Sequence, residues 1–581
     1  MTLGAYIRDA PFGQLVRLLT HNKYFQYPEE KPNFKLPEPW IQLMNGSDVQ
    51  ADEKPEEQPS RPSASSDEET AVLSRTSTLN TTPFTEARLE AEARDEIERV
   101  KSMPIVPTRT KDGAVLVDWY YTDDAENPHN WSNSKRAYMT TLICLYTFVV
   151  YTTSAIYTSS LQGVMEEFNV SSLVGTLGLS LYVLGYGIGP LVFSPLSEIP
   201  IIGRNPVYIV TMFLFVIISI PTAFVGNFPG LLVLRFLQGF FGSPCLASGG
   251  ASIGDMYSLI SLPYAMMAWV SAAYCGPALG PLLSGFAVPV KGWRWSLFES
   301  IWASAPVFIM MLLFLPETSS ATILLRRAKR LRRVFNDNRL MSQSEIDQRN
   351  MRVSAIAIDA LVKPMEITIK DPAVLFVQIY TAIIYGIYYS FFEVFPLVYP
   401  VDYGMNLGEV GLVFLCILVS CILAVTIYGL YIYLWMNPRI ARLGFPPQES
   451  RLLPALPASF GPTIGLFIFA WTARASIHWI VPTIGITIYG GTVFIVMQCV
   501  FLYIPLTYPM YAASLFAAND FFRSALACGS VLFAHPLFGN LGVAKGVSLL
   551  GGLSVIGIIG IWLLYFYGAR LRALSKFAVS E

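Results

Sequence analysis

Two neighbouring stretches decide how this chain is read: Leu231–Tyr257, LLVLRFLQGFFGSPCLASGGASIGDMY, and Ala265–Phe286, AMMAWVSAAYCGPALGPLLSGF. Each is long enough to cross a bilayer, which takes about 20 predominantly apolar residues. Neither reads as a plain membrane anchor. The first carries Arg235, followed by Gln238 and Gly239. An arginine at the centre of a bilayer costs about 2.5–3.5 kcal/mol on insertion scales and is a functional candidate for that reason. The second carries Gly276, Pro277, Gly280, Pro281 and Gly285. A proline inside a helix removes a backbone donor and crowds the preceding turn. Neighbouring helices can tolerate such breaks, and glycine lets their backbones approach closely.

Outward from these stretches, the 581 residues are 53% hydrophobic and 14% charged, against about 25% charged in soluble domains. Lys and Arg total 40 and Asp and Glu 41, a balance that argues against nucleic acid as a partner. Residues 1–135 are polar and read as a largely disordered N-terminal tail, most clearly at 46–82, rich in Ser, Glu, Pro and Thr. Within it Ala10–Thr20 is weakly amphipathic; it suits a helix on the membrane surface or a short tail helix with no such role. Twelve apolar blocks follow, near 137–159, 174–195, 206–226, 229–253, 264–287, 295–315, 373–395, 409–433, 453–473, 478–502, 508–534 and 547–568. They group as a six-helix half (136–315), a charged central loop (316–372), a second six-helix half (373–568) and a short C-terminal tail (569–581). The expected fold class is an all-α membrane protein with twelve transmembrane helices.

Positive charge sets the orientation. With the N-terminus in the cytoplasm, Lys135, Arg136, Arg204, the central run Arg326, Arg327, Lys329, Arg330, Arg332 and Arg333, and Arg439, Arg442, Arg451, Arg570, Arg572 and Lys576 all fall inside. Only Lys291, Arg294, Arg474 and Lys545 fall outside. Both termini are therefore expected to be cytoplasmic. Asn169-Val-Ser171 is the one glycosylation signal on the outer side, close to the second span. The seven cysteines all lie in apolar blocks without zinc-type spacing and read as small buried residues. No Walker sequence GxxxxGK[ST] and no hydrolytic constellation occur, so an enzyme or an ATP-driven pump is not expected.

Several ordered motifs resemble the major facilitator superfamily, specifically its fungal drug:proton antiporters with twelve spans. Arg235-Phe-Leu-Gln238-Gly239 resembles that family's fourth-span motif, and Gly276-Pro277-Ala-Leu-Gly280-Pro281 its fifth-span antiporter motif. Gly189-Pro-Leu191 through Ser-Glu198-Ile-Pro to Gly203-Arg204-Asn205-Pro206 is similar to the loop motif in which an acid and a base latch helix ends. Here two extra residues separate the acid from Gly-Arg, and Asn205 replaces a common second arginine. Asp124-Ala-Glu126-Asn127-Pro128-His-Asn130-Trp131 is similar to the segment that precedes the first span in fungal members, with Ala125 in place of proline. Trp131 also suits an interface anchor. Trp293-Arg294-Trp295 and Leu315-Pro316-Glu317-Thr318 resemble family borders of the sixth span and read as anchors and a helix stop.

The resemblance implies a major facilitator fold in the plasma membrane. It further implies alternating access and proton-driven export of amphipathic drugs, fungicides including azoles, or other toxic compounds. The partners expected are small amphipathic substrates, protons and the bilayer, with the chain acting as a monomer; no cofactor and no metal are expected. An exporter dedicated to one endogenous toxin or secondary metabolite is the alternative, because both tasks need an apolar, aromatic-lined cavity. Arg235, with Gln238, would be the coupling charge. Asp520 and Arg523, three residues apart and on one helix face, are expected near the middle of the eleventh span; the pair is either structural or able to take and release a proton. The kink motif, Gly276, Pro277, Gly280 and Pro281, would supply a bend and a seal. Tyr385, Tyr388, Tyr389 and Phe392 form a substrate wall or simply pack. Glu393 is expected near the outer surface as a solvated carboxylate, and Asp255 as a border charge. Lone His478 and His535 read as structural.

Overall fold

The computed structural model describes residues 3–44, 102–110, 113–348, 362, 365–444, 446–507 and 512–574. Among these, twelve helices are long and apolar enough to cross a membrane. They are Asn133–Phe168, Ser172–Glu198, Arg204–Phe224, Phe228–Gly254, Leu262–Lys291, Trp295–Phe314, Pro372–Tyr403, Leu407–Leu443, Ala455–Thr472, Ile480–Tyr503, Ser514–Leu541 and Val543–Ala573, referred to below as the first to twelfth spans. The chain is thus a multi-pass membrane protein with six spans on either side of the central loop.

Local chemistry starts several of these helices. Ser132 caps the first span, Asn227 the fourth and Asp371 the seventh, each side chain accepting from a backbone N–H of the first turn. Asn406 and Glu409 form a reciprocal capping box at the eighth, so donors that lipid would leave unpaired are satisfied. The fifth span is continuous from Leu262 to Lys291 although it contains Pro277, Pro281 and Pro289. Its Gly-Pro motif therefore does not break the helix. The first span does change pitch: a tighter turn at Ile156–Ser160 separates Asn133–Ala155 from Leu161–Phe168.

The two halves meet along the second and eleventh spans and along the fifth and eighth. Glycine permits both approaches. A Cβ on Gly187 would lie 2.4 Å from the Ser524 side chain, one on Gly285 2.8 Å from the Leu407 carbonyl, and one on Gly411 2.8 Å from the Pro281 carbonyl. The halves touch at both ends of these spans. At the end bearing the termini, Gln498 donates to the Pro263 carbonyl (3.3 Å) and Asn437 to the Tyr264 hydroxyl (3.0 Å). At the opposite end, Phe286 packs against Gly408.

Part of the N-terminal tail is folded. Residues 46–82, where composition predicts disorder, lie outside the described residues, but 3–44 and 102–132, apart from 111–112, build a cap with the central loop. Leu36, Trp40, Leu43, Val115, Val117, Tyr120, Ala328, Leu331 and Leu340 share a small apolar core. Strand β1 (Val115–Leu116) pairs in parallel with β2 (Leu340–Met341). The linker helix Ser320–Phe335 sends Arg327 and Arg330 into this cap. Arg327 pairs with Asp124 at 2.7 Å, Glu126 at 3.2 Å and Glu29 at 3.5 Å, and Arg330 pairs with Glu126 at 2.9 Å. The acidic residues ahead of the first span thus neutralise part of the basic central loop. Trp131, expected as an interface anchor, is instead buried under Lys135, whose Nζ lies 3.7 Å from the ring centroid.

Burial pushes the carboxyls of Asp124 and Glu126 up, but Arg327, together with Arg330 at Glu126, outweighs it and holds both below the usual carboxylate range. Carboxylates with depressed folded pKa values add stability that is present above their unfolded values, near 4, and lost as pH falls through the folded ones. The cap should therefore stay closed from neutral pH down to about pH 4 and open in stronger acid, seen as new pepsin cleavage within residues 3–44. Arg327→Ala should open it at neutral pH, because removing one partner of a buried ion pair costs about 3–5 kcal/mol. Limited proteolysis of the purified full chain checks this.

Candidate translocation site

Where the halves meet, a cavity is lined by Tyr151, Trp269, Tyr274, Tyr385, Tyr388 and Arg523, with Leu246, Val270, Ala273, Ile384, Val493, Met497 and Phe501 completing the wall. Both halves contribute. Space for the centres of water molecules amounts to ≈ 30 Å³, room for only a few waters. Drug-sized ligands occupy pockets of about 300–1,000 Å³, so such a molecule fits only if the halves separate. Tyr274 stacks on Tyr388 at 5.2 Å. Trp269 is held by a hydrogen bond from its indole N–H to Thr147 (3.1 Å).

Of the four aromatic residues expected as a substrate wall, Tyr385 and Tyr388 line the cavity and Tyr389 and Phe392 do not. Phe392 stacks on Phe414 (5.2 Å) in the second half. The remaining wall comes from the first, fourth, fifth and tenth spans, whose aromatic and aliphatic residues carry no distinguishing local pattern. Glu393 also departs from expectation: it is buried, with 7% exposure. The seventh span runs on to Tyr403, so position 393 lies inside the helix and not at its end.

Arg523 borders the cavity, with its guanidinium carbon 4.9 Å from the centroid of Tyr385 and 5.5 Å from that of Phe501. Behind it, Asp520 accepts from Arg523 at 2.6 Å and is fully buried. Asp520 and Arg523 are the ninth and twelfth residues of the helix Ala512–Leu541, so the pair lies somewhat before its middle, because the span extends further than the apolar block suggests. Asp520 Oδ2 and Arg523 Nε are buried with no hydrogen-bond partner among the described residues. One carboxylate oxygen is thus open to a proton or a water. Next to it, Asn519 donates to Gln378 (2.5 Å) and Thr381 (2.7 Å) of the seventh span. Gln378 and Thr381 were not legible as site residues, since isolated polar residues in a span give no pattern.

Arg235 is fully buried and, among the described residues, pairs with no carboxylate. It donates to the carbonyls of Gly178 (3.1 Å), Thr153 (3.1 Å) and Ser154 (3.2 Å), and to Oε1 of Gln238 (3.1 Å). The Tyr182 and Tyr157 rings lie 4.4 and 5.0 Å away. Thr153 and Ser154 immediately precede the tighter turn of the first span, and the guanidinium bonds their carbonyls there. Arg235 therefore ties the first, second and fourth spans together.

A chain of hydroxyls joins these two charged groups across the interface. Tyr385 and Tyr186 are 2.9 Å apart, Tyr186 donates to Tyr389 at 2.9 Å, and Tyr389 is 3.2 Å from Ser154 Oγ. Tyr385 lies under Arg523, and the carbonyl of Ser154 receives Arg235. Tyr186 and Ser154 belong to the first half, and Tyr385 and Tyr389 to the second.

The latch is differently composed than expected. Glu198 ends the second span within reach of the Arg204 charge but forms no ion pair with it; the carboxylate that pairs with Arg204 is Asp255, at 2.8 Å. Glu317 completes the latch: it is buried and accepts from the backbone N–H groups of Arg204 (3.1 Å) and Asn205 (3.3 Å). A carboxylate at the N-terminus of the third span complements the helix dipole. Gly203 is needed twice over. Its φ is +81°, and a Cβ there would lie 2.4 Å from Glu317 Oε2. Gly189 belongs elsewhere, packed against Ser243 of the fourth span. In the second half the loop between the eighth and ninth spans forms a counterpart with the charges exchanged: Arg572, at the end of the twelfth span, donates to both oxygens of Glu449 at 2.9 and 3.0 Å.

Other motif residues serve close packing. A Cβ on Gly239 would lie 2.1 Å from the Tyr182 carbonyl. One on Gly276 would lie 2.9 Å from the Phe148 carbonyl and one on Gly280 2.8 Å from the Ile156 N. The fifth-span motif thus seats that helix on the first span, with Pro277 and Pro281 carried in the same helix. Asn169 is exposed in a left-handed turn that ends Leu161–Phe168, and Ser171 caps the next helix.

A profile of the Major Facilitator Superfamily matches residues 143–531. The chain belongs to this superfamily. It is 47% identical to "MFS-type transporter pyvG" of Aspergillus violaceofuscus, over 81% of this chain and 87% of that one. It is 39% identical to "Fluconazole resistance protein 1" of Saccharomyces cerevisiae, over 80% of this chain and 86% of that one. The fold is similar to that of the proton:xylose symporter XylE, at a TM-score of 0.54 and 13% identity, covering 75% of this chain and 96% of that one. The fungal resemblance drawn from the motifs is borne out by these relatives.

The revised latch makes a discriminating prediction. Asp255→Asn should lower the stability of the purified protein by about 1.5–3 kcal/mol, the worth of hydrogen bonds to a charged group, whereas Glu198→Gln, which breaks no ion pair, should change it by less. Thermal unfolding in detergent measures both.

Proposed function

We propose that this chain is a proton-coupled efflux transporter. It exports amphipathic drugs, fungicides including azoles, or other toxic compounds by alternating access. It works as a monomer in the plasma membrane, with both termini, the cap and the latch on the cytoplasmic side; the excess of Lys and Arg at that end supports this orientation. A relative named for fluconazole resistance supports the substrate class.

The observation that carries the reading is the buried Asp520–Arg523 pair at the edge of an aromatic cavity built from both halves. A flat apolar molecule would be held by the rings, with Arg523 the polar group at its edge. The unpartnered Oδ2 of Asp520 would take either a proton or the polar group of a bound substrate, and a proton there would remove the charge that holds the substrate. Substrate and proton would then compete for one pair, which is what exchange requires. The hydroxyl chain from Tyr385 to Ser154 exists only while the halves are together at that level, so it would report the state of the pair to the knot around Arg235. Arg235 would act in coupling by holding the first, second and fourth spans as one body, with Gln238 fixed beneath it by Ser219 (2.7 Å).

Inside-out vesicles containing the protein, loaded with an acid interior and no ATP, should accumulate a rhodamine dye, and a protonophore should abolish this. Asp520→Asn should reduce gradient-driven accumulation to background. Because that change leaves a buried cation without its partner, the double variant Asp520→Asn/Arg523→Gln separates coupling from folding. It should fold like the parent and still fail to respond to the gradient. Gradient-dependent transport by the double variant would overturn the assignment. If well-folded parent protein transports none of a panel of unrelated dyes and azoles, a single endogenous metabolite becomes the substrate.

Tyr186→Phe removes the central link of the hydroxyl chain at a cost of about 1 kcal/mol per hydrogen bond. The variant should keep dye binding but carry fewer dye molecules for the same proton flux, measured by simultaneous dye and pH recording in the same vesicles.

A further inference from the structure

The helix Pro11–Leu19 lies against the third and sixth spans at the end bearing the termini. Its large apolar residues do not all turn inward. Leu18 is 74% exposed, Leu19 69%, Leu15 51% and Phe12 37%. At 100° per residue these four fall within one arc of about 120°. Gly13 and Arg17 lie on the opposite side and are buried. The stripe is therefore the outer face of a docked helix and not the result of fraying.

The surroundings identify what covers that face. The sixth span has the smallest share of its apolar window buried inside the protein, 28%, and the third has 44%. Both spans thus present most of their surface to lipid, and the helix is seated where lipid begins. Exposed Ile309 of the sixth span, Val210 of the third and Ile201 beside it are on the same end of the molecule. Just after the helix, Lys23 and Tyr24 are exposed, side chains with an apolar stem or ring and a polar tip that suit the boundary between acyl chains and headgroups. We propose that Pro11–Leu19 is an interfacial helix whose Phe12, Leu15, Leu18 and Leu19 are buried in the bilayer that holds the twelve spans.

The inner side of this helix leads to the linker between the halves. Arg17 donates to both oxygens of Glu30 at 2.7 Å. Gln14 reaches the Tyr27 hydroxyl at 2.9 Å, and the Arg330 guanidinium covers the Tyr27 ring at 3.8 Å. Arg330 sits on the linker helix Ser320–Phe335. The lipid-seated helix thereby fixes one end of the linker to the membrane plane beside the first half. This inference is independent of the export reading, since it needs only a multi-pass protein in a bilayer.

The test uses the full chain in liposomes, with a bimane label on Leu18→Cys and, separately, on Lys31→Cys, which is exposed on the cap. The labelled parent, with its native cysteines, supplies the background. Nitroxides placed at the shallow acyl carbons of the lipid should quench the label at 18, and aqueous iodide should not. The pattern should be reversed at 31. Iodide quenching at 18 without quenching by the lipid nitroxides would overturn the proposal. So would protection from both that grows with protein-to-lipid ratio, which would mean that a second copy covers the face. In a second measurement, Leu15→Glu/Leu18→Glu should expose residues 3–44 to protease in liposomes while the unfolding temperature of the span bundle stays that of the parent. Unchanged protease protection would count against the bilayer as the occupant.

Discussion

The Asp520–Arg523 ion pair, 2.6 Å apart and buried, is the interaction on which the centre of this molecule depends. A buried ion pair gains little over an apolar pair of the same size, yet removing one partner is costly. Its presence at the junction of two six-helix halves, beside an aromatic cavity, therefore points to a use for the charge. The arrangement around it is asymmetric. Asp520 keeps one oxygen unpartnered and Arg523 one N–H, while the neighbouring Asn519 is held by Gln378 and Thr381. The pair is thus supported from one side and open on the other.

Arg235 illustrates the opposite solution to the same constraint. In a bilayer every polar group must be satisfied internally, and this guanidinium is satisfied by three carbonyls, a glutamine and two tyrosine faces. Its charge is absorbed into the packing of the first, second and fourth spans. One buried arginine therefore holds a half together, and the other meets the cavity. Between them runs a line of hydroxyls whose links cross from one half to the other, so the line is continuous only while the halves are together at that level.

At the end bearing the termini the same economy of charge recurs. Arg204, Asp255 and Glu317 lock the first half, and Glu449 with Arg572 locks the second with its charges exchanged. The cap adds a third charged cluster, in which Glu29, Asp124 and Glu126 receive Arg327 and Arg330 from the linker. The linker helix Ser320–Phe335 is therefore packed against part of the N-terminal tail and held beside the first half.

Much of this architecture was legible in the residues themselves. Twelve apolar blocks, their division by a charged loop and the family all followed from hydropathy and from short motifs, because lipid admits few ways to bury a backbone and because Gly, Pro and Arg in a span are conspicuous. Arg235, Asp520 and Arg523 were found for that reason. Pairings were not legible. Arg204 had an acid six residues away in sequence, yet Asp255, from the far end of another helix, is the one it meets. Tyr389 and Tyr385 look alike along the seventh span, yet only one faces the cavity. Glu393 was assigned to the surface because the extent of its helix could not be read. Folded structure in the tail was missed because the cap's core is assembled from segments up to about three hundred residues apart, each too short to bury a face alone. Sequence alone determined which stretches enter the membrane and which of their residues are too polar to be buried there without a partner. Only the tertiary structure decided which of those charges neutralise one another, since that depends on which helix faces come together, and the distances between faces are set by packing and not by order along the chain.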